Sequence, residues 1–270
     1  MHNWHWRTWE GLPYLTCSLL ETWSHGFFTQ QFWPRSPLEL TKMLQPNVGI
    51  YRVKQVHGNL VLTPSEIRRQ ESAGGELAPH PSPLAPDLLA EADGIITEQP
   101  EQAVWVASAD CTPALIADSE TGNVAAVHAG WRGTAAKIVP QAIARLQTQG
   151  SKIKDLRIAL GPAITGSVYQ VSVQVAAEVG ASIIPAQAEQ SILDSLHQLS
   201  DSPLLPDPHP GRVRLDVRRV IALQLEHLGV SPEQVAIAPH CTYQQPEHFF
   251  SYRRDKLKKV QWSGIVSNEP

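Results

Sequence analysis

Residues 104–128 read VWVASADCTPALIADSETGNVAAVH, and this stretch decides the fold. Three short apolar runs in it predict buried strands at 104–107, 114–118 and 124–128. Residues 120–123 (ETGN) predict a turn between the second and third strands. The first strand leads to Asp110 and Cys111, and the third ends at His128, so this part of the chain places reactive side chains at strand ends.

Strands and helices alternate irregularly along the rest of the chain. Further strands are expected at 1–29, 50–62, 156–160 and 235–238, the last of these being the final strand. Helices are expected at 134–148, 173–199 and 216–228, loops at 71–90 and 202–211, and weak helix or irregular chain at 30–47. This order predicts an α+β fold, a single compact domain over residues 1–270 with mixed β-sheets flanked by helices.

Individual residues refine the three expected helices. Thr134 is the expected N-cap of the first helix, and Pro140 predicts a kink in it or a late start. Pro185 predicts a break in the second helix, and Gly229 predicts the end of the third.

Composition argues against several classes of protein. The 270 residues carry a net charge of −4 with no long run of one sign, which argues against a nucleic-acid surface. No apolar stretch is long enough to span a membrane, and the N-terminus lacks the uninterrupted apolar region of a secretory signal. The three cysteines, Cys17, Cys111 and Cys241, make a poor disulfide framework and fit a reducing compartment. We therefore expect a cytoplasmic protein.

Three segments place a histidine or cysteine beside glycine or another small residue at the end of an expected strand. They are QVHG (55–58), SADCTP (108–113) and VHAGWRG (127–133). Zinc favours cysteine thiolate and histidine nitrogen, and a catalytic zinc keeps a fourth position open for water or substrate. His57, Cys111 and His128 therefore form a candidate metal site.

Spacing alone leaves other interpretations of these residues open. The three ligands lie far apart and match neither a zinc-finger nor an H-E-x-x-H pattern, so Cys111 could be a small buried side chain among satisfied histidines. Alternatively, Cys111 could be a nucleophile that His128 activates. The glycine-rich turn after His128 would then donate backbone N–H groups to an oxyanion.

Three further residues are candidates for substrate contact or support. Arg132 opens an expected helix where a phosphate could bind, and a tight turn with a surface arginine explains the sequence equally well. Asp93 could orient a ligand histidine or occupy an Asp-Gly turn. Arg253, within FFSYRRD (249–255), could clamp a planar anionic substrate or end a buried edge strand.

Several segments together resemble the YfiH family of laccase-domain, purine nucleoside phosphorylase-like proteins. They are VKQVHGN (53–59), EADGIIT (91–97), SADCTPALIAD (108–118), VAAVHAGWRGTAAKIV (124–139), LGPAI (160–164), YQV (169–171) and FFSYRRD (249–255). The resemblance is clearest over residues 50–255 and implies a compact α+β fold similar to that of some cysteine-hydrolase toxins. It also implies that His57, Cys111 and His128 bind the metal.

The family implies phosphorolysis of adenosine, inosine and methylthioadenosine, together with adenosine deamination. Zinc is the expected cofactor, with copper as the alternative, and a purine nucleoside and phosphate are the expected substrates of a monomer or homodimer. The expected site residues are of two kinds, catalytic and substrate-binding. Catalytic roles are expected for Cys111, His128 and Asp110, and substrate contacts for Arg132, Gln55 and Arg253.

Members of the family are also named after other activities: polyphenol oxidase, laccase and peptidoglycan editing factor. A multicopper oxidase commonly uses H-x-H pairs, and none of the 11 histidines here lies two positions from another. The remaining alternatives are an amidohydrolase that edits peptidoglycan precursors, a metal-dependent phenol oxidase and a metal-binding regulatory protein. The chain departs from the family pattern in its N-terminal third, and at Gln170 and Ser172, where glutamate and glycine are usual.

Overall fold

A computed structural model describes residues 2–72, 89–185 and 188–270, which form three β-sheets and eight α-helices. The strands are β1 Trp4–Trp9, β2 Leu12–Cys17, β3 His25–Phe28, β4 Gly49–Tyr51, β5 Val61–Leu62, β6 Gly94–Ile96, β7 Gln102–Ser108, β8 Thr112–Asp118, β9 Val124–Ala129, β10 Leu156–Leu160, β11 Gln170–Ser172, β12 Leu204–Pro206, β13 Arg212–Leu215, β14 Val235–Ile237 and β15 Gln261–Val266. The helices are α1 Pro37–Leu44, α2 Pro64–Ser72, α3 Trp131–Ala135, α4 Ile138–Thr148, α5 Val173–Gly180, α6 Glu189–His197, α7 Val217–His227 and α8 Tyr252–Asp255. Across the described residues, every helix is too short or too polar to cross a membrane.

The two larger sheets contain both parallel and antiparallel strand pairs. The first sheet has the strand order β1-β2-β3-β15-β7-β4, the second has β14-β10-β8-β9-β6-β5, and the third has β11-β13-β12. Strand β4 runs parallel to β7, β5 to β6 and β14 to β10, whereas the β8–β9 and β7–β15 pairs are antiparallel. The predicted α+β class, with mixed sheets flanked by helices, is confirmed.

The β8–β9 hairpin lies at the centre of the second sheet, as the apolar runs predict. Every residue of both strands is buried, because both faces of the hairpin are covered. Ile116 packs in a core shared with α4 and α7, whereas Leu115 packs in a second core with strands of the first sheet. The layers therefore follow the order first sheet, second sheet, helices.

The helix expected from Thr134 begins earlier and is interrupted. Helix α3 starts at Trp131, so the expected N-cap at Thr134 is wrong. The chain leaves the helix at Lys137, whose φ of +57° lies in the left-handed region. Helix α4 then begins so that Pro140 falls in its first turn, where the missing N–H of a proline breaks no helical hydrogen bond. The late start predicted from Pro140 is confirmed.

The segment expected to be β-rich contains only two short strands, β4 and β5. The chain between them, including His57, has no regular strand. The backbone N–H groups of Val56, His57 and Gly58 donate to the Asp93 carboxylate instead of to a neighbouring strand. A side chain distant in sequence therefore overrides the local β propensity here.

Four strands fall where none was expected. Strand β12 lies within the loop expected at 202–211, β11 and β13 lie outside every segment expected to be a strand, and β15 follows the strand expected to be last. Ser263 and Gly264 interrupt the apolar pattern of β15, although it lies between β3 and β7 inside the first sheet. The break expected near Pro185 is confirmed, since α5 and α6 are separate helices. Most of the loop expected at 71–90 lies outside the described residues.

Gly264 gives the first sheet room for a large buried side chain. A Cβ atom at Gly264 would lie 2.5 Å from Cδ2 of Trp105, which is fully buried. We expect Gly264→Ala to lower the free energy of unfolding by about 1–3 kcal/mol through overpacking, as measured by urea denaturation. In a Trp105→Phe background the same change should cost much less, because the smaller ring leaves room. An equal loss in both backgrounds would show that the Trp105 ring is not the cause.

Candidate metal centre

His57, Cys111 and His128 come together although they lie on three separate segments. The ligand atoms of the three side chains are all within 4.8 Å of one another, and the two imidazole rings are nearly perpendicular with centroids 4.8 Å apart. His128 is buried in β9, Cys111 is partly exposed between β7 and β8, and His57 is exposed. The three donors therefore form a triangle that is closed on the protein side and open to solvent beside His57.

The Asp93 carboxylate holds two of these ligands in place. Asp93 is 0% exposed and accepts hydrogen bonds from the backbone N–H groups of Val56 at 3.1 Å, His57 at 2.9 Å and Gly58 at 2.6 Å. These bonds stabilise the loop although His57 has a φ of +62°, which is uncommon for a residue with a side chain. Asp93 also bonds Nδ1 of His128 at 2.8 Å. This contact leaves Nε2 of His128 free for the centre.

A glycine permits the close approach of these ligands. A Cβ atom at Gly130 would lie 2.8 Å from Sγ of Cys111 and 3.4 Å from Cδ2 of His57. Any larger residue would push at least one of these side chains away. The glycine-rich turn after β9 is therefore required by the packing of the metal ligands.

The charges of the centre favour a thiolate beside an imidazolium. Burial would raise the pKa of Cys111, but the charge of His128 and hydrogen bonds from both histidines lower it to about 6. Burial would lower the pKa of His128, but the Cys111 thiolate and Asp93 raise it to about 9. Burial alone would raise the pKa of Asp93. Its hydrogen bonds to His128 and to the 56–58 loop outweigh burial and hold that pKa below its ordinary value. Negative charge therefore lies on both sides of the His128 ring.

The donor set fits a metal ion. Two histidine nitrogens and one cysteine sulfur are ligands that zinc prefers, and copper accepts imidazole and sulfur donors as well. Among the described residues, no fourth histidine, cysteine or carboxylate joins the group. Three protein ligands with an open fourth position are typical of a catalytic zinc site, whereas structural sites have four.

Asp110 and Arg253, both expected in the site, contact each other. Asp110 is buried with a φ of +88°, and its carboxylate accepts the Thr242 hydroxyl at 2.7 Å and the backbone N–H of Arg253 at 2.6 Å. The guanidinium of Arg253 lies 4.8 Å from the centroid of the Tyr169 ring and donates to the Gln170 carbonyl at 2.8 Å. Asp110 precedes the ligand Cys111, so these contacts connect Arg253 to the centre.

The side chain of Gln55 is paired with the backbone of β7, whereas that of Arg132 is exposed. The side-chain amide of Gln55 donates to the Ala107 carbonyl and accepts the Ala107 N–H, both at 2.7 Å, so both of its polar atoms are already paired with β7. Arg132 is exposed, and its guanidinium lies 4.4 Å from the Trp131 ring centroid. Substrate contact by either residue stays a prediction.

Tyr169 is a site residue that sequence reasoning missed. Burial, together with the charge of Cys111, raises the pKa of its hydroxyl to about 12, while the charges of Arg253 and Arg132 act in the opposite direction. Tyr169 is therefore close enough to the ligand cysteine and to both arginines to feel their charges. Its only signal in the sequence is the YQV segment, which says nothing about its neighbours.

Known proteins and a family model are similar to this chain over most of its length. A family model described as multi-copper polyphenol oxidoreductase laccase matches residues 38–266. A protein of Synechocystis sp. named purine nucleoside phosphorylase is 52% identical over 268 residues, covering 98% of this chain and 97% of the relative. A Mycobacterium tuberculosis protein of the same name is 32% identical over 210 residues, covering 78% of this chain and 69% of the relative.

Solved structures share the fold at low sequence identity. YlmD from Geobacillus stearothermophilus has a TM-score of 0.75 at 23% identity, covering 97% of this chain and 98% of that structure. The hypothetical protein YfiH of Bacillus licheniformis has a TM-score of 0.76 at 22% identity, covering 97% and 99%. At this identity the likeness shows that the architecture is shared.

Replacing Asp93 should weaken zinc binding more than replacing another buried carboxylate away from the centre. Asp93→Asn puts an amide N–H where the carboxylate accepts from the 56–58 loop or from His128, so both ligands lose their support. We expect the affinity for zinc to fall by about 10–100-fold, measured by competition with a chromogenic chelator. Asp118→Asn is the matched control, because Asp118 is 0% exposed and accepts backbone N–H groups in the β8–β9 turn, away from the centre. Equal zinc affinity in both variants would contradict the role of Asp93.

The thiolate of Cys111 should be detectable by its reactivity with iodoacetamide in chelator-treated protein. Because thiolate forms as the pH rises through a pKa of about 6, the alkylation rate should rise between about pH 5 and 7 and level off above. His128→Asn should move this rise toward pH 8.5, roughly the pKa of an unperturbed thiol. Cys17, which is 1% exposed, should stay unmodified. A rise near pH 8.5 in the unaltered chain would refute the thiolate–imidazolium pair.

Proposed function

The chain belongs to the multi-copper polyphenol oxidoreductase laccase family, and from this premise we propose that it is a zinc-dependent purine nucleoside phosphorylase. Membership confirms the resemblance drawn from the sequence. The proposed substrates are adenosine, inosine and methylthioadenosine with phosphate, and the proposed secondary activity is adenosine deamination. The observation that carries the proposal is the open triangle of His57, Cys111 and His128, next to the contact between Asp110 and the backbone N–H of Arg253.

His57, Cys111 and His128 would hold the metal in this proposal. When bound, zinc would supply Lewis-acid chemistry at the centre. The chain fixes the ligands before the metal arrives, since Asp93 already orients His128 and the loop that carries His57. Such preformed ligands lower the reorganisation needed on binding.

The residues around the triangle fit the phosphorolysis of a nucleoside. In this reaction the bond from C1′ to the base nitrogen breaks, an oxygen of hydrogen phosphate bonds to C1′, and the proton of hydrogen phosphate passes to the base nitrogen. The products are the free base and ribose 1-phosphate. We assign the phosphate to Arg132 and Arg253, because guanidinium groups bind phosphate through paired N–H donors. In the deamination proposed as the secondary activity, Asp110 is our candidate for proton transfer, and the Thr242 hydroxyl and the Arg253 backbone N–H hold its carboxylate in place. Tyr169, with a pKa of about 12, stays protonated and can donate a hydrogen bond to the nucleoside.

A second candidate function has a specific observation in its favour. The pKa of Cys111, about 6, and the adjacent His128 suit a nucleophilic thiolate with a general acid, as amide hydrolysis requires. This chemistry would suit an amidohydrolase that edits peptidoglycan precursors. A multicopper oxidase fits less well, because the described residues contain one group of three or more metal-ligating side chains.

The two functions can be separated with one preparation of the protein. We expect about one zinc per chain by atomic emission, and phosphate-dependent release of hypoxanthine from inosine. Cys111→Ala should lose both, whereas Cys17→Ala, at a buried cysteine on β2, should keep them. Arg132→Ala should raise the KM for phosphate by about tenfold or more, because a charge-assisted contact is worth roughly 1.5–3 kcal/mol. Arg7→Ala, at an exposed arginine of β1, should leave that KM unchanged.

Three other outcomes would each change a part of the proposal. Zinc without nucleoside turnover would move the assignment to amide hydrolysis, tested with a muropeptide precursor in the same samples. Protein that binds no zinc under any condition would refute the metal centre. A phosphate KM that is unchanged in Arg132→Ala would remove Arg132 from the phosphate site.

A further inference from the structure

A small sheet outside the two main layers holds Tyr169, whose ring packs against the Arg253 guanidinium. Strand β11 begins at Gln170, directly after Tyr169, and pairs with β13, which also pairs with β12. The backbone carbonyl of Tyr169 accepts the N–H of Leu215 at 3.0 Å, so the residue is attached to the end of β13. Nothing in the chemistry proposed above explains how the polar side chains of this sheet are arranged.

The Asp207 carboxylate, just after β12, joins the polar groups of this sheet. Its side chain is 2% exposed and accepts the backbone N–H of His209 at 3.0 Å, Nδ1 of His209 at 3.0 Å, Nε2 of Gln170 at 2.9 Å and Nε of Arg214 at 3.2 Å. Nη1 of Arg214 donates in turn to the Ser167 carbonyl at 2.8 Å. Asp207 therefore holds the chain on both sides of Tyr169.

Hydrogen bonds continue from Asp207 to the centre. Gln170, whose side chain bonds Asp207, accepts Nη1 of Arg253 through its backbone carbonyl at 2.8 Å. The backbone N–H of Arg253 donates to Asp110 at 2.6 Å, and Asp110 is followed by the ligand Cys111. The path from Asp207 to the centre thus has three polar contacts.

We propose that Asp207 is a positioning residue, which acts through Gln170 to set the Arg253 guanidinium and the Tyr169 ring against the substrate. The proposal rests on the phosphorylase function assigned above. An arginine side chain has many rotamers, and a fixed partner for one of its N–H groups removes most of that freedom before substrate binds. Asp207 touches no ligand of the metal itself, so its effect must travel through the residues that it holds.

Kinetics test this role directly. Asp207→Asn places an amide N–H against one of the four donors, while its size and shape are kept. We expect the KM for inorganic phosphate to rise about tenfold with kcat changed by less than about threefold, and the zinc content to stay at the level of the unaltered chain. Asp201→Asn is the matched control, because the Asp201 side chain is 75% exposed and, among the described residues, forms its ion pair with Arg219 on the surface. A kcat that falls with an unchanged phosphate KM, or a loss of zinc, would overturn the proposal.

A double-mutant cycle distinguishes positioning from mere support of the fold. If Asp207 acts through Arg253, Asp207→Asn should raise the phosphate KM of the Arg253→Lys variant only a little further. Two independent structural losses would instead multiply their fold-increases in KM. Gln170→Met provides a second route, because it removes the amide that Asp207 holds and keeps the backbone carbonyl. It should reproduce the rise in phosphate KM. Additive effects in the cycle, or a Gln170→Met variant with normal phosphate KM, would each refute the proposal.

Hydrogen–deuterium exchange gives a readout that needs no turnover. In Asp207→Asn the peptide that covers residues 249–256 should exchange at least threefold faster, because the Arg253 guanidinium loses its fixed acceptor at Gln170 and the segment that carries it is held less firmly, and Asp201→Asn should leave it unchanged. Unchanged exchange in Asp207→Asn overturns the proposal whatever the kinetics show. Faster exchange in a protein with no phosphorolysis would leave Asp207 as a positioning residue and refute the phosphorylase function alone.

Discussion

The buried carboxylate of Asp93 is the constraint on which the centre depends. A charged group with no solvent contact is destabilising unless each oxygen is paired, and here three successive backbone N–H groups and one imidazole supply the pairs. The pairing draws the 56–58 loop into a conformation that neither β-sheet nor helix would give. The placement of His57 and His128 thus follows from satisfying one carboxylate in the interior.

The remaining geometry follows from the β8–β9 hairpin. Because both of its faces are buried, its register is fixed, and Pro113 lies opposite His128 near one end. Cys111 precedes the first strand and His128 lies near the end of the second, so the two ligands meet at the same end of the hairpin. Strand β6 pairs with β9 and places Asp93, the residue before it, beside His128. Backbone pairing therefore positions the His128 ring, the Asp93 carboxylate that supports it and the Cys111 sulfur together.

Sequence reasoning reached the part of this arrangement that local pattern encodes. Continuous apolar runs predicted β7, β8 and β9, and ligand chemistry with the family resemblance pointed to His57, Cys111 and His128. Strand β15 was missed because Gly264, which makes room for Trp105, breaks the pattern that marks a strand. Tyr169 and Asp207 were missed because their partners come from chain segments that only the folded sheet brings together. Residue types and the resemblance thus predicted which three side chains would come together, and the residues that position them required the tertiary structure.

A metal ion at this centre would compete with a proton for Nε2 of His128. With a pKa of about 9 its imidazole is protonated at neutral pH, whereas Cys111, with a pKa of about 6, is already a thiolate. A metal ligand must be a neutral imidazole or a thiolate, so binding must remove the Nε2 proton of His128 and none from Cys111. Asp93 would keep its hydrogen bond to Nδ1 whether Nε2 carries a proton or a metal ion. It would therefore raise the affinity of Nε2 for either one. The nucleophilic-cysteine and metal-centre interpretations therefore use the same side chains and require different protonation states of His128.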